Sequence, residues 1–250
     1  MWGLFNSKPE CPIDPEREQW VDERFRWLEE QLGPETPRKV DVILPTLDYF
    51  PDQYNERPED AQSMLIRIAG YMNLDPQKFD LFFYSEAGPA QLPGPSPQTV
   101  SGSAGVYVHA GGASADGRRK IGIESAQLKD PMSLVATLAH ELGHEILLGQ
   151  NRISADEPDH EPLTDLLTVF MGLGLFTANA TIRDRGWSSG GWSGWRTSRH
   201  GYLDQRMLGY ALARFAFVRG EARPRWMRHL RPDVLAPLKL ALRYVFRGGG

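Results

Sequence analysis

An α+β fold is what this sequence predicts: a small mixed or antiparallel sheet with a helix against it, then a mostly helical C-terminal half. Three observations predict it. Short alternating segments that read as strands occur only before Asp130. From Asp130 onward apolar residues recur at helical spacing, with one long Gly/Ser/Trp-rich break. No internal repeat and no sharp change of composition divides the 250 residues. A single domain is therefore expected, mixed over about 1–129 and helical over about 130–250.

The elements follow in order. "DPEREQWVDERFRWLEEQLG" predicts a first helix. Asp14 can cap it, Pro15 suits its first position and Gly33 can end it. "KVDVIL", Lys39 to Leu44, alternates like a strand, and "RPEDAQSMLIRIAGYM" reads as a helix with Pro58 near its start. "KFDLFFYS", Lys78 to Ser85, is a second strand. "EAGPAQLPGPSPQTVSGSAG" has the composition of an exposed loop. "GVYVHA" and "KIGIES" read as a hairpin across a turn-rich link containing Asp116-Gly117. Asp130 and Pro131 then open a helix that Gly149 can stop. The uncharged run Leu166–Ile182 touches the lower length limit for a membrane span. Its threonines, Asn179 and glycines favour a buried core helix, so no span is expected.

Composition is ordinary for a globular chain, at 41 % hydrophobic and 24 % charged residues. Cys11 is the single cysteine, which excludes an internal disulfide, and nothing nearby makes it reactive. The N-terminal residues show neither a basic region nor a long apolar run, so a cytoplasmic protein without a secretory signal is expected. Net charge is −4, but residues 1–182 carry −14 and residues 183–250 carry +10. A basic tail can hold nucleic acid, but no nucleic-acid motif accompanies it. Packing against the acidic part of the same chain is the favoured reading. The terminal "FRGGG" reads simply as a flexible end.

Chemistry concentrates in "LVATLAHELGHEILLG", Leu134 to Gly149, where His140, Glu141 and His144 interrupt an apolar run. Buried helices avoid such groups unless they are paired or bind something. On a helix, residues i and i+4 share a face, so His140 and His144 can aim ring nitrogens at one point. Two neutral imidazoles at that spacing suit Zn²⁺ at about 2.0–2.1 Å per bond. Glu141 is rotated by one residue, beside the ion, where it can take a proton from a coordinated water. H-E-x-x-H recurs by chance, so the capped, apolar helical context carries the weight.

A catalytic zinc normally takes three protein ligands and leaves one position to water. Downstream, in "SADEPDHEPLTDLLTVFMGLGLF", Glu161 is the expected third ligand. Asp165, four residues on, can accept a hydrogen bond from the far nitrogen of a liganding histidine. His160 and Asp165 are the alternative ligands. For the oxyanion of carbonyl chemistry, "SRHGYLDQRMLGYALARF" offers Tyr202 first and His200 second, with Arg206 nearby. The Trp/Gly/Ser loop 186–196, with Trp187, Trp192 and Trp195, reads either as a lid or clamp on substrate or as a connection tucked onto the core.

"HELGH" followed by "EPLTD" resembles the H-E-x-x-H…E-x-x-x-D arrangement of gluzincin-type zincin metallopeptidases. The resemblance is strong over His140 to Asp165 and looser over the hairpin and helix before it. It implies a zincin-like fold and a zinc site of His140, His144 and Glu161, with Glu141 as general base. It also implies that "KIGIES" is the edge strand lining a cleft, where a peptide adds by backbone hydrogen bonds. Two positions depart from the pattern: Glu145 follows His144 where an uncharged residue is usual, and Pro162 places Glu161 at the very start of its helix.

The expectation is thus a zinc-dependent peptidase acting on a peptide or protein. The alternative from another class is a zinc-stabilised regulatory or binding protein whose basic C-terminal surface holds a partner. Hydrolysis of a non-peptide substrate is compatible with the same ligands.

Overall fold

The computed structural model describes residues 9–84, 90–91, 99–100, 105–107, 118–180, 182–189, 192–199 and 202–247. The architecture is mixed and mostly helical, a coarse α+β arrangement with a small sheet.

Helix α1 spans Pro15–Leu32. The Asp14 side chain accepts from the Arg17 amide, and Gly33 ends the helix at φ 98°. Val21, Phe25 and Leu28 are its buried stripe. The short α2 covers Thr36–Lys39, and α3 covers Pro58–Tyr71. Between them, "KVDVIL" is not a strand. Val40 caps α2, and the following backbone runs singly against a distant turn, where the Ile43 amide donates to the Gly172 carbonyl at 2.9 Å. Alternation there reflects an extended segment pressed on the core, with Ile43 buried. Its backbone is satisfied by that turn rather than by a ladder.

β1 is Phe79–Tyr84, β2 Ala90–Gln91, β3 Thr99–Val100, β4 Gly105–Tyr107 and β5 Arg119–Glu124. β2 and β3 form a small antiparallel pair, and the remaining three make a mixed sheet in the order β1-β5-β4. β1 runs parallel to β5, with Phe79 opposite Arg119 and Tyr84 opposite Glu124. β4 is antiparallel to β5, pairing Gly105 with Ile123 and Tyr107 with Ile121, which is the expected hairpin. "KIGIES" is therefore the central strand, not the edge strand. Ile121 and Ile123 are fully buried because both sides of β5 are paired and its inner face meets the core. The link containing Asp116-Gly117, and most of the Pro/Gly/Ser-rich stretch before β4, lie outside the described residues.

Helix α4 spans Pro131–His144. Asp130 accepts from the Ser133 amide at 3.1 Å and from the Ser133 hydroxyl at 2.8 Å. Leu134, Leu138 and Leu142 are fully buried. Around α4 pack α3, β4 and the two helices that follow. These are α5, His160–Phe170, and α6, Gly174–Ala180. Over Leu166–Ala180 the apolar run is thus buried as expected, but in two helices rather than one, and Ile182 opens a strand. Gly172, at φ 82°, makes the break. A Cβ there would lie 2.1 Å from the Asp41 carbonyl oxygen, so only glycine fits the turn. No helix among the described residues is long and apolar enough to cross a membrane.

"RDRGWSSGGWSGWRTSRHG" is not an unpaired loop. β6, Ile182–Ser189, and β7, Trp192–Arg199, form an antiparallel ribbon, with Trp187 opposite Gly194 and Trp195 opposite Gly186. Period-two alternation is masked there by glycine and serine, which weaken the strand signal. What the three indoles touch, and so the choice between clamp and core, lies outside the described residues. α7, Gln205–Val218, and α8, Pro232–Arg247, complete the chain. They cross closely where Gly209 meets Pro237, since a Cβ on Gly209 would come within 2.8 Å of the Leu238 nitrogen.

The basic C-terminal part is only partly absorbed by the acidic one. Arg214 pairs with Asp22 at 2.9 Å, and Arg219 donates to the Pro37 and Val40 carbonyls at 2.6 and 2.9 Å. Arg223, Arg225, Arg228, Lys239, Arg243 and Arg247 stay exposed.

Candidate metal centre

Two helices build the site. α4 carries His140, Glu141 and His144 in its last turns, and α5 carries Glu161, Thr164 and Asp165 in its first turns. His140 Nε2 stands 2.9 Å from Glu161 Oε2, and His144 Nε2 stands 3.5 Å from the same oxygen. The imidazole rings are 4.8 Å apart and perpendicular. One donor atom from each of His140, His144 and Glu161 lies within 4.8 Å of the others. Two nitrogens and a carboxylate oxygen so grouped are a donor set that suits a divalent ion, with Zn²⁺ among the candidates.

On the far side of His140, Nδ1 bonds Asp165 Oδ1 at 2.9 Å. Asp165 is buried, and its other oxygen accepts from the Tyr202 and Leu203 amides. Asp165 therefore lies behind His140, on the side away from the shared point. His160 is also turned otherwise: Nδ1 bonds the Glu157 carbonyl at 2.9 Å, and Nε2 lies 3.3 Å from Glu161 Oε1. It sits at the rim rather than in the donor group.

Electrostatics follow from this packing. Burial opposes a charged His140, but hydrogen bonds to Asp165 and Glu161 outweigh it and hold the imidazolium up to about 10. Burial would raise Glu161, yet His140 and His144 hold its carboxyl well below the usual range. His144 is pushed down, first by burial, and so stays neutral more readily. In the metal-free chain a proton on His140 supplies the positive charge that the carboxylates demand. Glu141 is 4 % exposed, and its charge bears on both His140 and Tyr202.

Tyr202 reaches the site. Its ring stacks on His140 at 5.9 Å and 21° while its outer side stays in solvent, leaving it 56 % exposed. Partial burial, with the charges of Glu161, Asp165 and Glu141, pushes its phenol up to about 12. Arg206 is exposed in the first turn of α7 and belongs to a different helix end. His200 lies outside the described residues.

Both departures from the gluzincin pattern have physical explanations. Glu145 opens a π-helical turn, Glu145–Gly149, in which the Gln150 amide reaches back to the Glu145 carbonyl at 2.9 Å. That turn extends the helix to Gly149, and the Glu145 carboxylate meets Arg119 of β5 at 3.6 Å. Pro162 stands in the first turn of α5, where a missing amide hydrogen costs nothing, and Glu161 still points at the histidines.

Two residues that support the site, Arg24 and Trp20, are not singled out by the sequence. Arg24 grips Asp159, the residue before α5, with bonds of 2.7 Å to each carboxylate oxygen, and also bonds Glu157 at 3.0 Å. Trp20, one turn earlier, donates to Asp159 at 2.7 Å. The acidic loop is thus nailed to α1, which fixes where Glu161 begins. The i, i+4 spacing of Trp20 and Arg24 was visible, but nothing in the sequence named their partner.

Comparison with protein-family models, curated proteins and solved structures yields no match.

Proposed function

We propose that the chain is a zinc-dependent metallopeptidase of gluzincin type, acting in the cytoplasm on a peptide or protein. The observation that carries this reading is the convergence of His140, His144 and Glu161 donor atoms within 4.8 Å, on a helix that also bears Glu141. Zinc held there would supply a Lewis acid that polarises a carbonyl and lowers the pKa of water. Glu141 takes the proton from the attacking water and passes it to the leaving amine. Tyr202, protonated at neutral pH, donates to the developing oxyanion. Asp165 keeps Nε2 of His140 turned toward the ligand point by holding Nδ1.

Metal analysis and a peptide-library assay test this together. Wild type should hold one zinc, lost in His140→Ala and in Glu161→Ala, and should cleave peptides in a chelator-sensitive way. Stoichiometric zinc with no cleavage of any peptide would overturn the peptidase reading. Zinc retained in Glu161→Ala would move the third ligand to His160 or Asp165.

A second reading rests on the exposed Arg223, Arg225, Arg228, Lys239, Arg243 and Arg247. On it the metal stabilises a binding protein with a cationic surface. Salt-dependent binding of an anionic partner that survives Glu141→Gln, without hydrolysis by wild type, would favour it.

A further inference from the structure

We propose that Thr164 fixes the tautomer of His144, so that consecutive residues of α5 orient both histidines of α4. This rests on the metal-site reading above. Asp165 acts on His140 through Nδ1, and Thr164 acts on His144 through the equivalent atom.

Thr164 is fully buried. Its hydroxyl donates to the His160 carbonyl one turn back, at 2.8 Å, and lies 3.4 Å from His144 Nδ1. A hydroxyl has one hydrogen. With that hydrogen on the carbonyl, the oxygen offers the imidazole only lone pairs. Nδ1 therefore carries the ring proton and donates to Thr164, which leaves Nε2 as the lone-pair nitrogen. Nε2 is the atom that faces Glu161, at 3.5 Å. The residue before His144 makes room for this contact. A Cβ on Gly143 would come within 2.8 Å of the Thr164 methyl, so glycine there lets α5 approach α4 closely enough for the hydroxyl to reach.

A separation of 3.4 Å is long for a hydrogen bond. A cation held at Nε2 would withdraw electrons from the ring and make Nδ1–H a stronger donor to Thr164. The two histidines are also backed unequally. A carboxylate behind His140 makes it the more electron-rich ligand, and a neutral hydroxyl behind His144 sets direction without adding charge.

The test uses the full chain, with zinc alone as the ligand, titrated against a chromophoric chelator. Thr164→Val keeps the shape and removes the hydroxyl. It should weaken zinc binding by about 10–100-fold, as loss of such outer contacts does. Thr164→Ser restores the hydroxyl and should recover most of that loss. Equal affinity in wild type and Thr164→Val, or an equal loss in Thr164→Ser, overturns the proposal. A second measurement needs no variant: long-range ¹⁵N correlation of the zinc-loaded wild-type imidazoles should find the His144 proton on Nδ1. A proton on Nε2 overturns it. Failure of wild type to bind zinc would overturn the metal site itself, and is recognised before any substitution is made.

Discussion

At the residue scale, His140 and its two carboxylate partners form a charged cluster. The His140 imidazolium lies between Asp165 and Glu161, with its pKa raised from 6.5 to about 10. A raised histidine stabilises the fold fully below the unfolded value of 6.5, and that contribution fades as pH climbs through about 10. Glu161 is shifted downward, so its contribution is present above its ordinary 4.5 and is lost as pH falls. Metal-free stability from this pair should therefore peak between those two unfolded values, as urea titrations across pH would show. On the zinc reading the ion would have to displace the His140 proton, so binding should release one proton near neutral pH, and affinity should rise about tenfold per pH unit. Calorimetry in buffers of different ionisation enthalpy measures that proton directly. On the peptidase reading, Glu141→Gln keeps the size of the side chain and removes the proposed general base. Turnover should fall by about 10²–10⁴, the range for loss of a general base, while bound zinc is unchanged.

At the element scale, close approach of α4 and α5 makes the site, and glycines permit such approaches. Gly143 opens the space for Thr164, and Gly172 lets the α5–α6 turn fold under the segment after α2. Gly172→Ala forces a positive φ on a residue whose Cβ would collide with the Asp41 carbonyl. Strain and overpacking should cost about 1–3 kcal/mol each. A lower melting temperature with zinc stoichiometry intact is the expected result, because the turn lies at the other end of α5 from Glu161. Parallel loss of both would mean that the turn also sets the aim of the ligand.

At the scale of the whole molecule, the site depends on the N-terminal helix, although no ligand comes from it. Arg24 and Trp20 of α1 hold the loop that delivers α5. Arg24→Ala should cost about 1.5–3 kcal/mol, the range for a hydrogen bond to a charged group. It should also weaken zinc binding, by letting the start of α5 drift from α4. Zinc held by His140, His144 and Glu161 would tie α4 to α5. At a free concentration a hundredfold above its dissociation constant it should add about 2.7 kcal/mol of stability, removable by chelator and readable as a shift in melting temperature.

Local chemistry was legible before folding. Asp14-Pro15 and Asp130-Pro131 announce helix starts because capping and a fixed φ act within one turn. The i, i+4 spacing of His140 and His144 announces a shared face because helical geometry is the same everywhere. Strand pairing and partner choice were not legible, because they join residues far apart in the chain. "KVDVIL" alternates like a strand, but the nearest backbone it meets is a single turn at Gly172. "KIGIES" could have stood at an edge, yet β1 pairs with its open side. The charges on Asp159 and Glu157 read as a solvated loop until Arg24 arrives from 135 and 133 residues earlier. The amino-acid order by itself determined which side chains could bind a metal and on which helix they stand. Only the tertiary structure decided that Glu161, and not His160 or Asp165, shares their point in space, since that depends on how two helices cross.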